Sequence, residues 1–414
     1  MLYTKRIKLS KYVRQKSMSP KISNHDFPAP KLITTSAELR EVLLKLNQEE
    51  FVTIDTEFIR EHHYWPQLCL LQLAGEHDVI LIDALSIQLD LSLMKDFLKN
   101  PEITKVFHAA GQDLEIFYKL FGFLPATLFD TQIAAMVAGF GEQIGYDNLV
   151  MSLLGVSISK KYRFSDWAVR PLSLEQIGYA AADVTYLRLV YKKLKEILIK
   201  ERRIDWIQTE MEQLSRPEKF LADPAKMWEK IRIKTRDRKV LTVLQALAGW
   251  REQEAQRQDV PRQKVIKDDS LVEVAQMQPQ TVEKLEKIRG IPKDLAFGST
   301  GKAIIEVIAT AISLPSELQV KLPERKDQPK SMVNLFSLLK VLLAHRCEEF
   351  RVAPRLVATT EDLEQLVNYG EKANTPVLQG WRKTVFGEEA LALCQGKLAL
   401  TANQKHVEVV KAEF

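Results

Sequence analysis

The stretch FVTIDTEF, residues 51–58, decides the fold and at once raises a question about function. Phe51, Val52 and Ile54 favour an extended, core-facing segment, yet Asp55 and Glu57 interrupt it. Strand side chains alternate between faces, so residues two apart share one. Asp55 and Glu57 therefore point the same way, close enough to repel each other. An edge strand whose acids face water is the plain explanation. A site that needs anions is the other.

Working outward, the apolar runs CLLQLAG (69–75), VILIDA (79–84) and TKVFHA (104–109) read as further strands. The first three strands follow one another across short polar connections, which predicts an antiparallel meander. Later strands alternate with helical stretches (LSLMKDFLKN, GQDLEIFYKLFGF, DTQIAAMVAG and Leu174 to Ile199), which predicts a parallel part. Residues 30–200 are thus expected to form an α/β domain, a mixed sheet flanked by helices.

Beyond about Glu201 the strand signal disappears. Helical periodicity takes over, as in TGKAIIEVIATAI, where Ala303, Ile304, Val307, Ile308, Ala311 and Ile312 form one apolar face. Residues 201–235 read as a basic helical connector. Residues 236–314 and 331–411 read as two all-α domains, separated by a Pro- and charge-rich linker at 315–330. The two helical parts resemble each other: Pro261-Arg262 parallels Pro354-Arg355, and Phe297-Gly298 recurs as Phe386-Gly387, which argues for a duplicated unit of about 80 residues.

Composition narrows the class. With 414 residues, 46% apolar and 27% charged, the chain fits a globular protein of two or three domains. No run of about 18 apolar residues predicts a membrane span. Three widely spaced cysteines (Cys69, Cys347 and Cys394) predict a reducing, cytoplasmic setting without disulfides or thiolate zinc. The net charge of +5 belongs to the first 25 residues, which hold seven Lys or Arg and no acid; without those seven, 52 basic residues face 54 acidic ones. That tail, residues 1–29, reads as a disordered extension, an RNA-touching arm or a transit peptide. A nearly neutral body must bind any nucleic acid through local patches.

Two further segments carry acids in suggestive places. In KVFHAAGQDLEIF a strand turns into a helix with Asp113 in its first turn, where favouring the helix dipole would suffice to explain it. In SLEQIGYAAADVTYL, Ser173 and Gln176 make a capping box. Tyr179 and Asp183 then share one helical face in an Ala-rich stretch that lets another element come close. A second Tyr–Asp pair, Tyr162 and Asp166, lies among basic residues and reads as a loop. Four clustered carboxylates would repel one another unless cations fill the space between them. Oxygen-only ligands suit hard divalent ions, Mg²⁺ or Mn²⁺. Two such ions about 4 Å apart stabilise both the attacking and the departing oxygens of a phosphodiester displacement.

The order DTEF, HAAGQDLEIF, YAAADVTYL resembles the DEDD superfamily of 3′-to-5′ exonucleases, in the branch with tyrosine in the third motif. IDTEFIREHHYWPQLCLLQLAG, LFDTQIAA and YRFSDWAVRPLS are similar to the ribonuclease D family, and REQEAQRQDVPR to its HRDC helical domain, with a drifted second copy. The resemblance implies a ribonuclease H-like fold and an exoribonuclease that trims tRNA precursors and other small structured RNAs; a monomer is expected, though the sequence does not itself give the oligomeric state. It implies that Asp55 bridges two ions, that Glu57 and Asp183 complete the site of the nucleophile-bearing one, and that Asp113 holds the second. Tyr179 would orient the attacking water, being a poor base with an ordinary pKa near 10. The sequence departs from the family pattern at His63, where threonine is expected. Candidate substrate contacts are His108, Trp167 and Arg170, and in the basic stretch KMWEKIRIKTRDRK, Trp228 and Arg232. For His108 a packed residue at a strand end is the competing explanation, for Trp167 and Arg170 a buried structural role, and for the basic stretch a solvated face.

Overall fold

The computed structural model describes residues 28–321, 330–404 and 406–412, with the backbone alone at 330 and 331. The basic tail lies almost wholly outside the described residues, as does half of the expected linker.

Strand β1 (Lys31–Ile33) and helix α1 (Ser36–Leu46) precede β2 (Phe51–Ile59), β3 (Gln67–Ala74) and β4 (Val79–Asp83). Next come α2 (Met94–Lys99), β5 (Thr104–Phe107), α3 (Gly111–Phe121), β6 (Leu128–Asp130), α4 (Thr131–Val137), α5 (Tyr146–Leu154) and α6 (Leu174–Lys200). The sheet order is β1-β4-β3-β2-β5-β6. Strands β2, β3 and β4 form the expected antiparallel meander, while β5 and β6 run parallel to β2. The two three-residue strands and α5 had no clear sequence signal.

Alternation along β2 sorts its side chains between two layers. Val52 and Ile54 enter the core under α1, α2 and α3 with Leu39, Phe97 and Phe117. Phe51, Thr53, Asp55 and Glu57 take the other face, which α6 covers. There Phe51 meets Tyr191 with ring centroids 4.5 Å apart, and the Thr53 hydroxyl donates to the Val184 carbonyl at 2.8 Å. The Ser173–Gln176 capping box fixes the start of α6. Val184, Leu187, Val190 and Leu194 are buried along it, each contributing about 1.5–3 kcal/mol. That burial holds the helix against a strand that carries two acids.

Helix α7 (Ile204–Leu214) buries Ile207 and Met211 in the same core as α4 to α6. The first half of the connector thus packs with the sheet, whereas Met227 and Ile231 join the core of the following helices. Those helices are α8 (Arg238–Gln258), α9 (Arg262–Val265), α10 (Asp268–Met277), α11 (Val282–Glu286), α12 (Lys293–Phe297) and α13 (Ser299–Ile312). A second set follows as α14 (Lys330–Phe350), α15 (Pro354–Val357), α16 (Thr360–Tyr369), α17 (Gly380–Arg382) and α18 (Glu388–Cys394), the last two joined by a π-helical turn, Lys383–Gly387.

The two sets share a plan. Each opens with a helix of 21 residues, turns at a residue with φ of 51° (Asp259 or Arg351), and continues with helices of four and then ten residues. The Pro261-Arg262 and Pro354-Arg355 segments are equivalent in this plan. The Phe-Gly pairs are not. Phe297 ends α12 and is 42% exposed, whereas Phe386 lies in the π-helical turn before α18 and is fully buried. The second set also ends in a hairpin, β7 (Leu398–Asn403) and β8 (His406–Lys411), which adds strands to a region expected to be all helical. Leu400 and Val409 pack its inner face onto the helices.

Candidate active site

Asp55 and Glu57 leave β2 on the α6 side, and Asp183 comes from α6 to meet them. One carboxylate oxygen from each of the three lies within 4.8 Å of the others. All three side chains are half-buried. The Ala180–Ala181–Ala182 run brings the helix this close, since Ala180 packs beside Leu70, and Ala181 beside Ala74 and Val79. Tyr146 at the start of α5 donates its hydroxyl to the carbonyl of Asp183 at 2.7 Å, which fixes the backbone at that acid.

Asp113 approaches from α3. Its helix follows β5 through a turn in which Ala109 has φ of 59°, and Asp130 accepts the backbone N–H groups of Ala109 and Ala110. The same Asp130 caps α4 through Gln132 and Ile133. Asp113 stands outside the close triad and accepts a hydrogen bond from the Thr56 hydroxyl at 2.5 Å.

The electrostatics are those of a crowded anionic site. Burial, then the charge of Asp183, raises Asp55 well above the usual carboxylate range. Glu57 is pushed up to about 10 by burial and then by Asp55, Asp183 and Asp113. Asp183 is pushed up to about 7 by burial, against a hydrogen bond from Tyr179 and the charge of Arg163. Asp113 is raised by burial and by Asp55. Tyr179 is raised further above its ordinary range by burial and the surrounding acids, so its hydroxyl keeps its proton at neutral pH. Converging carboxylates of this kind fit a hard divalent cation, which would favour the ionised forms that burial and mutual repulsion disfavour.

The comparisons with known proteins agree with this geometry. Residues 30–199 match the family model described as 3′-5′ exonuclease, and residues 240–308 match that of the HRDC domain. Ribonuclease D of Gluconacetobacter diazotrophicus is 52% identical over 390 residues, spanning 94% of this chain and 99% of that protein. The chain belongs to the ribonuclease D family. Ribonuclease D of Granulibacter bethesdensis is 47% identical over 389 residues, 94% of this chain and 98% of its own. The crystal structure of Escherichia coli RNase D, described as an exoribonuclease involved in structured RNA processing, superposes with a TM-score of 0.76 at 30% identity, covering 88% of this chain and 98% of that one. This ribonuclease D family member is a 3′-to-5′ exoribonuclease of the metal-dependent DEDD superfamily.

Most of the residues expected to touch substrate in this family member have other partners. Trp167 is 2% exposed and packs against the Tyr179 ring. Arg170 holds Asp83 with two hydrogen bonds and also donates to the carbonyls of Cys69, Trp167 and Val169, so it clamps a loop to the sheet. Both ring nitrogens of His108 are engaged, by the Thr131 hydroxyl and the Ile144 carbonyl. Trp228 packs half-buried on the core of the first helical set, with its indole nitrogen enclosed. Arg232 alone of the five is exposed. Asp166 caps the turn at Ala168, in the loop that the second Tyr–Asp pair suggested. His63, the departure from the family pattern, reaches Asp259 at the end of α8 at 2.9 Å.

Sequence reasoning overlooked Arg163, whose charge is felt at both Glu57 and Asp183. It also overlooked Tyr146 and Thr56. Arg163 stood in the YRFSDWAVRPLS segment, an exposed cation beside Lys160 and Lys161 in the loop that leads to α6. Nothing in the sequence marked the other two.

Proposed function

We propose that the chain trims the 3′ ends of tRNA precursors and other small structured RNAs in the cytoplasm, acting as a monomer with two divalent ions, Mg²⁺ or Mn²⁺. The observation that carries the reading is the convergence of Asp55, Glu57 and Asp183, from a strand and a helix 126 residues apart in sequence, on one point. In this reading Asp55, Glu57 and Asp183 hold one ion, and Asp55 with Asp113 the other. Bound there, the ions supply the Lewis acidity for phosphodiester hydrolysis. Water forms the new P–O bond, the bond from phosphorus to the 3′ oxygen of the preceding nucleotide breaks, and a nucleoside 5′-monophosphate leaves.

The remaining roles fall to the chain itself. Tyr179 keeps its proton and hydrogen-bonds Asp183, so it orients the water and does not deprotonate it. Tyr146 and the alanine run set the position of Asp183. Exposed Arg232 offers a phosphate contact. We also read the two helical sets as an HRDC domain and its divergent copy, on the strength of their common plan.

The decisive assay incubates the purified protein with Mg²⁺ or Mn²⁺ and 5′-end-labelled RNA or DNA, with the 3′ end free or blocked. Stepwise release of nucleotides from free RNA ends is expected. Equal activity on DNA would remove the RNA assignment, and binding without cleavage in either metal would remove the hydrolytic one. A tRNA precursor with a 3′ extension must be shortened faster than an unstructured RNA of equal length.

A further inference from the structure

One polar side chain beside the carboxylates has no part in the hydrolysis as described. Gln72 on β3 pairs in register with Asp55 on β2. Side chains directly opposite on antiparallel strands share a face, with Cβ atoms about 4.5–5.5 Å apart. Gln72 therefore rises beside Asp55 on the face that α6 covers. Its neighbours on that face confirm the direction: Leu70 packs with Ala180, and Ala74 with Ala181 and Val184. Gln72 is fully buried, at 0% exposure, and neither its Nε2 nor its Oε1 has a hydrogen-bond partner.

A buried amide with both ends unpaired is costly, because water solvates those groups fully in the unfolded chain. Methionine would fill the same space without that penalty. The amide is within reach of a carboxylate that gains a full negative charge when it holds a cation, and an ionised carboxylate accepts several hydrogen bonds. We propose that Gln72 is a positioning residue for Asp55: with an ion bound, its side-chain NH₂ donates to the Asp55 carboxylate and fixes which oxygen faces the metal. The proposal rests on the reading of Asp55, Glu57 and Asp183 as a divalent-ion site. Partners behind a metal ligand of this type typically change affinity by about 10- to 100-fold.

The test is Gln72→Met, measured by calorimetry with Mn²⁺ alone, by thermal unfolding of the metal-free protein, and by steady-state kinetics on RNA. Mn²⁺ affinity should fall about tenfold or more. Metal-free melting should hold or rise, and kcat should drop while KM for RNA stays near the parent value. A folded Gln72→Met protein that binds Mn²⁺ within about twofold of the parent overturns the proposal. Should that variant not fold, Gln72→Asn decides the matter: its amide is polar but too short, so the same loss of Mn²⁺ affinity is expected, and parent-like affinity overturns the idea. Asp55→Asn is run alongside. If it leaves Mn²⁺ binding unchanged, the ion site itself is wrong; if it abolishes binding while Gln72→Met does not, the role of Gln72 alone is wrong.

Discussion

Trp206 on α7 and Trp381 on α17 stack face to face, with ring centroids 4.5 Å apart and planes 5° from parallel. The pair joins the second helical set to the nuclease domain, and beside it buried Arg382 forms an ion pair with Glu210. Trp381→Ala should cost about 2–3 kcal/mol, less than a fully buried tryptophan because the ring is half-exposed. Limited proteolysis checks this. A cut between the two helical sets should release the C-terminal fragment more readily from the variant than from the parent. Equal resistance in both would refute the anchoring role.

Asp55→Asn should abolish turnover, with kcat lower by at least about 10³-fold, while making the metal-free protein harder to unfold. The rationale is that one of several mutually repelling acids is removed. Thermal melting without metal is expected to rise by a few degrees, on the order of 2–4 °C for a modest gain in a domain of this size. A variant with lower melting temperature than the parent would contradict the crowding argument.

The pH dependence follows from the same groups. Asp183 is held up to about 7 and Glu57 to about 10, both above their unfolded values near 4. A raised folded pKa means that the folded state binds more protons than the unfolded one, so metal-free stability falls as pH climbs from about 4 through 7 and beyond. A divalent ion reverses this by binding the ionised form. The increase in melting temperature on adding Mg²⁺ should accordingly be larger at pH 8 than at pH 5. Comparing each pH with and without the ion cancels the titration of all other groups, and a shift that is equal at both values would count against the assignment.

Tyr179→Phe removes the hydroxyl that hydrogen-bonds Asp183 but keeps the ring against Trp167. Turnover should slow by roughly 10²-fold, with RNA affinity within about twofold of the parent. Because the phenol acts as a protonated positioning group, the pH–rate profiles of the parent and Tyr179→Phe should have the same shape. A rate that depends on phenolate formation would assign Tyr179 as the base.

Arg170→Met tests the structural role of that residue. The guanidinium and Asp83 are both largely buried, and removal of one partner leaves the other charge uncompensated, at about 3–5 kcal/mol. Unfolding in denaturant should show the loss. If Arg170 served mainly to hold RNA, stability would be untouched and KM would rise instead.

Much of the fold was legible because its signals are periodic. The meander announced itself through runs of alternating or continuous apolar residues, and α6 through its capping box. The acidic set was legible for a related reason: Asp55 and Glu57 are two apart on a strand, and Tyr179 and Asp183 four apart on a helix, so each pair must share a face. Strands of three residues have no period to detect, which is why β1 and β6 went unseen. The β7–β8 hairpin alternates in HVEVVK but lacks a glycine turn to flag it. Arg170, Trp167 and His108 stayed open between ligand and brace because residue type cannot tell the two apart; their burial and partners favour the brace. Gln72 was invisible for another reason. Its relation to Asp55 exists only through strand register, which no single strand encodes.

The left-handed corner that ends each 21-residue helix is used twice as a handle, and by different hosts. At the first corner Asp259 accepts the backbone N–H of Trp65 and takes the ring of His63, both from the loop after β2. At the second, Arg351 grips Glu201 beyond α6, and the nearby Ala353 N–H donates to Met136 on α4. An acid meets donors in one place and a base meets a carboxylate in the other. Two copies of one architectural unit have thus been fitted to unlike sockets, so grafting either corner onto the other copy would set acid against acid at Glu201 or donor against donor at Trp65, and leave that copy without its mooring.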